Sequence, residues 1–479
     1  MSTSVASARP GVMPQTMRSG DGEGAPWVVV GGGLAGLAAA EALLSAGQPV
    51  RLYEQHDHLG GRASSFRDPL TGWIIENGQH VWMPACTELC AFLRRTGADS
   101  LTRAQDRLDV VYLEKGRPSH RLRASRLPGA ASMLLPLMRF PLLGGADKLG
   151  LVRAMAALKL GGRRLRRRVG DRPFAVWLRR AGQSERSCRV FWEPFIGSIL
   201  NERLEDASSD LAMMAIQETV LTGSGATRLI WPSSPQSEVW DAAARHLARL
   251  GGHIRRGVRV EKVEVARAEE GAPAVQAVHL TSGERVPAAG AVLATPPSAV
   301  VSLLPPPWDR QDLFVAGMGL EWSPILNIHV WFEEPITEYD VCCVVDSPLH
   351  WIFRKPSQEP AGGRLPVPSG AQHLDLVVSY SRGFLGRGPD DIVPLMLEEL
   401  AAHLPAARAV DVLAARVVHE RRATFRAVAG SGDLRPAQGT GIPNLALAGS
   451  WTDTGWPSTL EGAVRSGRAA ARALGVHGD

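Results

Sequence analysis

The stretch WVVVGGGLAGLAAAEALLSAGQPVRLYEQHDHLGGR, from Trp27 to Arg62, decides the fold. Its run of three valines, 28–30, shows no polar alternation, which is typical of a strand buried on both faces of a parallel sheet. Gly31, Gly33 and Gly36 follow at the G-x-G-x-x-G spacing. Glycines at these places permit a tight turn, the close approach of a diphosphate and close packing of a helix on the strand. The stretch therefore predicts a dinucleotide-binding βαβ unit, around which the rest of the chain is arranged.

A helix and a second strand complete the predicted unit. Residues 34–46 are almost all Ala and Leu, and Gly47 is a natural end for that helix. The helix N-terminus directs unpaired N–H groups at the diphosphate, so we assign Leu34 and Ala35 to the cofactor site. Residues 49–54 form the second strand, and Glu54 falls 21 residues after Gly33. An acidic side chain at this place accepts hydrogen bonds from an adenosine ribose.

Length, charge and cysteine content set broad limits. At 479 residues the chain exceeds one ordinary core, so about three domains or two interleaved ones fit. A net charge of +5 with a pI near 9.1 is too mild to indicate a nucleic-acid partner. The cysteines are odd in number and lack paired C-x-x-C spacing, which predicts reduced thiols in a cytoplasmic protein and no metal site. They are Cys86, Cys90, Cys188, Cys342 and Cys343.

Two stretches bear on location. The first 25 residues lack the apolar core that a secretion signal needs, and we predict a disordered tail there. The run from Met133 to Leu143 is the most apolar later stretch, but its 11 residues are too few to cross a bilayer, which needs about 20. We therefore expect a cytoplasmic protein in which any membrane contact is peripheral, on the inner face of the cell membrane.

A basic stretch is the candidate for such a contact. Apolar residues recur there near helical spacing, and arginines follow them. This arrangement is typical of a helix whose apolar face enters the lipid boundary while its arginines meet anionic head groups. A packed helix with a solvated basic end explains the same pattern, and the sequence does not separate the two. The apolar residues are Leu149, Val152, Ala156, Leu158 and Leu160, and the arginines are Arg163, Arg164, Arg166, Arg167 and Arg168.

A second glycine loop indicates which dinucleotide binds. The stretch LGGRASS, from Leu59 to Ser65, resembles the second diphosphate loop of the flavin-dependent amine oxidase and phytoene desaturase superfamily. The resemblance implies that Gly61 and Arg62 contact FAD. It also implies an α/β fold, in which a Rossmann-like FAD-binding domain of the GR2, amine oxidase-like type is interleaved with a mixed α+β substrate domain. No cysteine lies in the C-terminal flavin segment, so the FAD is expected to be non-covalent.

Two further segments resemble the squalene-associated members of this superfamily, the hydroxysqualene dehydroxylases. The stretch ENGQH, from Glu76 to His80, matches their N-G-Q-H form of a D-x-G-x-H segment, with Glu76 in the place of the aspartate. The stretch WTDTGWPSTLEGAVRSG, residues 451–467, matches them over most of its length. The resemblance implies that a helix begins there, with Thr459 and Leu460 at the flavin.

The residues of this C-terminal segment carry their own signals. Ser458-x-x-Glu461 reads as a capping box that starts the helix. Three small residues, Gly462, Ser466 and Ala470, would let the helix lie close to another backbone.

One position departs from the superfamily pattern. The family usually has A-G-D before this segment, and the aspartate binds the ribityl chain of FAD; here Gly449 is followed by Ser450. A serine can still bind a hydroxyl group, but without charge, and Asp453 is a candidate to compensate. In the middle of the chain, residues 253–265 alternate as one strand, and Val258 matches a valine that contacts the adenine in the family.

These patterns and the resemblance divide the chain into segments. The predicted parts of the FAD-binding domain are residues 26–97, 229–300 and 411–479. The substrate domain is predicted at residues 98–228, where it is mainly helical, and at residues 301–410. Residues 192–200 (WEPFIGSIL) resemble a segment that lines the substrate cavity in desaturase-like flavoproteins, although ordinary core would read the same way.

The resemblance implies an FAD-dependent enzyme that replaces the allylic hydroxyl of hydroxysqualene with hydride, giving squalene for hopanoid synthesis. Hydroxide does not leave at neutral pH, so an acid must protonate it, and Asp453 and His80 are the candidates. A hydrogen-bonded structural role would explain His80 equally. Trp451 and Trp456 either stabilise the cation through their ring faces or serve packing.

Three rival functions stay open: a carotenoid desaturase of the phytoene type, a soluble amine oxidase and a non-catalytic flavin-binding scaffold. The expected partners are a polyisoprenoid substrate, an external electron donor such as NAD(P)H or a reductase, and neighbouring squalene-forming enzymes. No second glycine fingerprint follows a strand, so the chain is not expected to carry its own NAD(P)H domain.

Overall fold

The computed structural model describes residues 24–127, 131–221, 228–266, 272–358, 363–365 and 367–476. The disordered tail predicted for residues 1–25 therefore lies outside the described residues, except for its last two positions.

The strands are β1 (Trp27–Val30), β2 (Val50–Tyr53), β3 (Ser65–Arg67), β4 (Ile74–Glu76), β5 (Thr102–Ala104), β6 (Asp109–Glu114), β7 (His120–Arg123), β8 (Ile230–Pro232), β9 (His253–Arg255), β10 (Val260–Ala266), β11 (Ala274–Leu280), β12 (Arg285–Pro287), β13 (Gly290–Leu293), β14 (Trp322–Phe332), β15 (Val341–Val345), β16 (Trp351–Arg354), β17 (Gln372–Val378), β18 (Val412–Phe425) and β19 (Leu445–Leu447).

The helices are α1 (Leu34–Ser45), α2 (Thr87–Thr96), α3 (Ala131–Arg139), α4 (Gly145–Val169), α5 (Phe174–Arg180), α6 (Glu185–Ser187), α7 (Glu193–Leu200), α8 (Ser209–Thr219), α9 (Gln236–Arg249), α10 (Pro297–Leu303), α11 (Asp312–Val315), α12 (Pro389–His403) and α13 (Leu460–Ala473). A π-helical turn at Cys188–Trp192 joins α6 to α7.

A parallel five-stranded sheet holds the predicted βαβ unit. Its strand order is β19-β13-β1-β2-β9, and all neighbouring strands run parallel. The strand β1 is buried along its whole length, as the unbroken valine run predicted. The sheet collects its strands from three distant stretches of the chain, so the predicted Rossmann-like α/β fold is confirmed.

Two helices lie close together over this sheet. The helix α1 is buried from Leu34 to Leu44, because α13 covers the side that the sheet leaves open. A side chain on Gly467 would overlap the backbone of α1 at Ala35, which shows how closely the two helices approach. Ser466 and Ala470, two residues of the predicted small-residue face, are also buried. Small side chains therefore set this close approach.

A mixed seven-stranded sheet forms the second body of the structure. Its order is β18-β14-β17-β16-β15-β6-β7, with β15 and β6 parallel and the other pairs antiparallel. The helix α12 packs on one face, and the other face meets the apolar core of the helical stretch from α4 to α8. The sheet continues to Phe425, beyond the domain boundary predicted at residue 411. The other predicted boundaries stay predictions.

Two local predictions need correction. Residues 253–265 do not form one strand, because the chain turns at Gly257, where φ is +68°, and so separates β9 from β10. In α4 the buried apolar residues are Leu151, Ala154 and Leu158, whereas Leu160 is 87% exposed. Of the five predicted apolar residues only Leu158 is buried, so the five do not share one face, and a lipid contact of the exposed ones stays a prediction. Across the described ranges, no helix combines the length and the apolar character that a membrane crossing requires.

Candidate flavin site

The three glycines of the first loop meet different needs. A side chain on Gly31, whose φ is +106°, would overlap the carbonyl oxygen of Ala294, and one on Gly36 would overlap the carbonyl oxygen of Gly31. These two glycines are required by the packing of the backbone itself. Gly33 differs, because the nearest atom to its missing Cβ is the Cα of Gly61, 4.0 Å away. Gly33 therefore borders open space.

The second glycine loop lies directly against the first. The N–H of Gly60 donates to the carbonyl oxygen of Gly32 at 2.9 Å, and Gly60 forms a parallel bridge with Gly33. Gly60 and Gly61 have φ values of +98° and +61°, which favour glycine. The two loops together, residues 31–36 and 60–62, are called the diphosphate cradle below.

The predicted acid lies at one end of the diphosphate cradle. Glu54 is 7% exposed, and its Oε2 accepts a hydrogen bond from the N–H of Gly32 at 2.6 Å. Its Oε1 accepts from the N–H of His56 at 2.9 Å. The N–H of Val258 donates to the carbonyl oxygen of Glu54 at 2.9 Å. The structure thus brings together the acid and the valine that were predicted to meet the adenosine part of the cofactor.

Arg62 and Ser450 meet at the other end of the diphosphate cradle. The Nη2 of Arg62 donates to the Oγ of Ser450 at 3.2 Å, and its Nη1 donates to the carbonyl oxygen of Ala423 at 3.0 Å. The guanidinium lies 5.6 Å from the ring centroid of Trp322. The Oγ of Ser450 is also 2.9 Å from the Oγ of Ser458. Ser450, the residue that departs from the superfamily pattern, therefore forms a polar cluster with Arg62, the arginine predicted to contact the cofactor.

The start of α13 differs from the predicted capping box. Thr459, not Ser458, is the N-cap, and its Oγ1 accepts from the N–H of Gly462 at 3.2 Å. Glu461 reaches another helix, where its carboxylate accepts from the N–H groups of Glu88 and Leu89 at the start of α2. The prediction was wrong because the hydroxyl of Ser458 bonds Ser450 and because Glu461 caps a helix far away in sequence. Thr459 and Leu460 remain at the N-terminus of α13.

These residues fit a flavin dinucleotide. A methyl group on Gly33 would enter the gap between the two loops, where a diphosphate would need to lie against the backbone. The N-terminus of α1 points the same way, and its partial positive charge suits a phosphate. Glu54 and Val258 would hold the adenosine end, and Arg62, Gly449 and Ser450 lie together beside the start of α13.

A family model decides the identity of this site. The model described as flavin containing amine oxidoreductase matches residues 34–475. The chain belongs to that family. The predicted flavin cofactor is thereby confirmed, and the protein is a flavin-dependent oxidoreductase.

Two sequence relatives and one solved structure are similar to most of this chain. A hydroxysqualene dehydroxylase of Rhodopseudomonas palustris is 29% identical over 92% of this chain and 96% of its own length. A 15-cis-phytoene desaturase of Solanum lycopersicum is 24% identical over 93% of this chain and 77% of its own length. A solved oxidoreductase structure from Methanosarcina mazei superposes with a TM-score of 0.71 at 16% identity, covering 93% of this chain and 100% of that chain. The likeness to dehydroxylases is confirmed, and the solved structure supports the fold alone.

Asp453, a predicted acid, lies on the outside of this flavoenzyme. Its side chain is exposed, and Oδ1 accepts from the N–H of Gly455 at 3.1 Å. It lines a surface cleft with Glu88, Arg465 and Arg468. The catalytic and compensating roles of Asp453 stay predictions.

His80, the other predicted acid, is held by its own loop. Its Nδ1 donates to the carbonyl oxygen of Gly78 at 2.8 Å. Burial lowers the pKa of His80, although the nearby Glu76 acts in the opposite direction. The ring is therefore neutral at neutral pH, with its hydrogen on Nδ1. A catalytic role for His80 stays a prediction, and the structure shows a stable structural role beside it.

Two cations at this site, the buried Arg435 and the partly buried Lys355, were not predicted from the sequence. Lys355 pairs with Glu76 at 2.8 Å and donates to Oε1 of Gln79 at 2.7 Å, so it fixes the NGQH segment. Arg435 donates to the carbonyl oxygens of Ser450 and Thr452, and burial lowers the pKa of Arg435 to about 10. Both contacts join segments from different parts of the chain, and neither lies in a recognisable motif.

The two tryptophans of the C-terminal segment have packing roles. Trp451 is 2% exposed, and its Nε1 donates to the carbonyl oxygen of Thr295 at 2.9 Å. Trp456 is 7% exposed and carries the guanidinium of Arg465 over its ring at 4.8 Å. A cation-stabilising role for either ring stays a prediction.

Proposed function

We propose that the protein is an FAD-dependent hydroxysqualene dehydroxylase that converts hydroxysqualene to squalene for hopanoid synthesis. One observation carries the proposal: the likeness to the Rhodopseudomonas dehydroxylase runs through 92% of this chain and 96% of the relative, so neither chain has a large part that the other lacks. The resemblance of the NGQH segment to the dehydroxylases adds support. Lys355 binds Gln79 within that segment, and His329 binds the carbonyl oxygen of Glu76 directly before it.

The proposed reaction requires the protein to bind FAD and to deliver a proton to the substrate. The diphosphate cradle, Glu54 and Arg62 would hold non-covalent FAD, which in its reduced form supplies the hydride. The protein must exclude water and deliver a proton to the leaving hydroxyl, since hydroxide is a poor leaving group. Of the acids predicted from the sequence, Asp453 is exposed and His80 is neutral with its hydrogen bonded to a carbonyl group. Neither geometry favours proton donation in the resting protein.

A carotenoid desaturase is the second candidate function, because phytoene desaturases match 93% of this chain at 24% identity. The two functions run the flavin in opposite directions. A dehydroxylase needs the reduced flavin and a polyprenyl alcohol, whereas a desaturase needs the oxidised flavin and a hydrocarbon.

A single turnover distinguishes the directions. We expect the reduced protein, without oxygen and in deuterated water, to convert hydroxysqualene to squalene with one deuterium at the former carbinol carbon. The label enters because the transferable hydrogen of reduced flavin exchanges with solvent. Mass spectrometry and NMR of the product measure it, and the oxidised protein is the control, which should leave the alcohol unchanged. Desaturation of phytoene by the oxidised protein, with hydroxysqualene left intact by the reduced one, would replace our proposal by the desaturase.

The partners belong to the same proposal. The substrate is a polyisoprenoid, the electron donor is NAD(P)H or a reductase, and enzymes that form squalene precursors are neighbours.

We propose a cytoplasmic protein that contacts the inner face of the membrane through α3 and α4. On α3, Leu134, Leu135 and Met138 are 47%, 40% and 46% exposed and lie at helical spacing. On α4, the arginines at 163, 164, 167 and 168 are exposed, whereas Arg166 pairs with Asp210 at 3.0 Å.

Binding to anionic vesicles tests this contact. The variant Leu134→Glu/Met138→Glu should bind at least about tenfold more weakly, because two apolar anchors become charges that anionic lipid repels by about 1 kcal/mol each. Salt at 1 M should also weaken the binding of the wild type to anionic vesicles, because the Debye screening length falls to ~3 Å. Co-sedimentation with vesicles measures both effects, and Leu385→Glu, at an exposed leucine in another part of the chain, is the matched control. Equal binding to neutral and anionic vesicles would contradict the proposed surface.

A further inference from the structure

A cavity between α7 and the seven-stranded sheet lies apart from the residues assigned so far. Its volume is about 180 Å³. Pockets that hold a whole ligand usually measure about 300–1,000 Å³, so this one holds one part of a substrate. It includes part of the segment predicted at residues 192–200 to line a substrate cavity. Its walls include Glu193, Gly197, Asp346, His350, Trp351 and Tyr380. We call it the Glu193 cavity.

Strained backbone is concentrated at the Glu193 cavity. Within the described ranges, the residues other than glycine with positive φ are Asn201 at 51°, Asp346 at 57° and Tyr380 at 40°. Two of them line the cavity. The third, Asn201, accepts a hydrogen bond from the N–H of Tyr380 on its Oδ1 at 2.6 Å. Asn and Asp adopt this conformation more readily than tyrosine does, and residues held in it cluster at active sites.

The local structure presents Glu193 to the cavity. The π-helical turn at Cys188–Trp192 ends directly before Glu193, and such turns occur often at functional sites. Gly197 follows one helical turn later, and a side chain there would crowd the ring of Tyr380. Without it, the phenol lies against α7, and its Oη is 3.4 Å from Oε1 of Glu193.

Burial shifts the carboxyl, phenol and imidazole groups of the cavity toward their uncharged forms. Burial raises the pKa of Glu193, and the nearby Glu205 raises it further. Burial also raises the pKa of Tyr380 and lowers the pKa of His350 to about 4. The N–H of Ser379 donates to Nδ1 of His350 at 3.0 Å, so the neutral ring carries its hydrogen on Nε2. A carboxylic acid, a phenol and an imidazole N–H suit an uncharged hydroxyl group better than an ion.

The Glu193 cavity is joined to the flavin site by direct contacts. Arg62 of the diphosphate cradle binds the carbonyl oxygen of Ala423. The next residue, Thr424, accepts on its Oγ1 from the Nδ2 of Asn201 at 3.0 Å, and Asn201 in turn binds Tyr380. A few hydrogen bonds therefore separate the predicted cofactor arginine from the Glu193 cavity.

We propose that the Glu193 cavity binds the allylic hydroxyl of the substrate and that the protonated carboxyl group of Glu193 is the acid that makes this hydroxyl leave. The assignment rests on the proposed dehydroxylase function. The proton passes from Glu193 to the hydroxyl oxygen, the carbon–oxygen bond breaks, and water leaves with the bonding electron pair. Glu193 becomes a carboxylate beside the allylic cation, which it stabilises by charge. Reduced FAD, which the diphosphate cradle would hold, would supply the hydride for the new carbon–hydrogen bond and would be left oxidised, so atoms and electrons balance.

The variant Glu193→Gln tests the assignment. We expect oxidation of reduced flavin by hydroxysqualene to slow by about 10²–10⁴-fold in a single turnover, the usual contribution of a general acid. FAD content and substrate binding, followed by tryptophan fluorescence, should be retained. Glu398→Gln is the matched control, because Glu398 on α12 is exposed, does not line the cavity and does not contribute to the shifted pKa of Glu193; its rate should stay within threefold.

Infrared spectroscopy gives a measurement that does not depend on activity. The wild type, titrated upward from acid pH, should show the carbonyl stretch of a protonated carboxylic acid that Glu193→Gln lacks and Glu398→Gln keeps. Because the pKa is raised, the acid persists above the usual range of a glutamate and is lost as pH rises through the raised value. Burial, Glu205 and Asp346 raise this pKa, whereas Arg203 and the hydrogen bond from Tyr380 lower it. The wild-type rate should fall over the same pH range in which this band disappears, a coincidence that tests the assignment even if Glu193→Gln does not fold.

The outcomes separate this assignment from the function on which it rests. A wild type that does not convert hydroxysqualene would overturn the proposed function together with this assignment. An active wild type with a Glu193→Gln variant inside threefold of its rate would overturn the assignment alone. So would an active wild type without the protonated-acid band.

Discussion

Replacing Glu461 with alanine should lower the free energy of unfolding by about 3–5 kcal/mol, the usual effect of removing one partner from a buried ion pair. Glu461 is fully buried, accepts from two N–H groups at the start of α2 and pairs with Arg465 at 2.6 Å. Without its carboxylate, these donors and the guanidinium lose their partner inside the protein. Urea unfolding followed by circular dichroism measures the change.

Two further variants control this experiment. Glu461→Gln keeps an oxygen that can accept from one N–H group but loses the charge, so a smaller loss of about 1–3 kcal/mol is expected. Glu284→Ala removes a carboxylate that is 42% exposed and paired with Arg255, a surface pair worth about 0–1 kcal/mol. A Glu461→Ala variant as stable as Glu284→Ala would show that Glu461 does not join α13 to α2.

Replacing Gly33 with alanine should raise the Kd for FAD at least about 100-fold, which corresponds to about 2.8 kcal/mol. The φ of Gly33 is −71°, a value open to any residue, and the nearest atom to the new methyl group is 4.0 Å away. The protein should therefore fold normally while the methyl group occupies the gap that the diphosphate needs. Titration of the apoprotein with FAD, followed by flavin fluorescence, gives the Kd, and denaturation of the wild type should release free FAD.

Other glycines distinguish loss of binding from loss of folding. In Gly36→Ala the methyl group would overlap the carbonyl oxygen of Gly31, so this variant should be destabilised with or without FAD. Gly432→Ala has open space around the new methyl group and should behave as the wild type in both measurements. If Gly33→Ala bound FAD as tightly as Gly432→Ala, the proposed position of the diphosphate would be wrong.

The parts of the fold that the sequence predicted are local. The valine run of β1, the glycine spacing from Gly31 to Gly36 and the position of Glu54 lie within one short stretch, where neighbours in sequence are neighbours in space. Strand and helix periods are sufficient to locate such a unit. The second loop at Gly61 and Arg62 needed a resemblance, because a glycine pair followed by arginine has no structural meaning by itself.

The parts that could not be predicted depend on contacts between distant residues. Lys355 reaches Glu76, Tyr380 reaches Glu193, and Glu461 reaches α2 in addition to Arg465 of its own helix. Hydrophobic periodicity says which side of an element is buried but not which element buries it. The cap of α13 shows the same limit, since Ser458 and Thr459 are equally good capping residues and only the bond from Ser458 to Ser450 decides between them.

The strand order of the five-stranded sheet also affects how the protein folds during its synthesis. During synthesis β1 and α1 emerge first, but β13, the partner of β1, follows only after residue 289, and α13 only after residue 459. Ribosomes add roughly 5–20 residues per second, so the apolar surface of α1 stays uncovered for tens of seconds at the slower rates. The flavin site is complete only when nearly the whole chain has left the ribosome. The nascent chain therefore exposes apolar surface for longer than its βαβ unit alone would suggest, and flavin uptake is a late event.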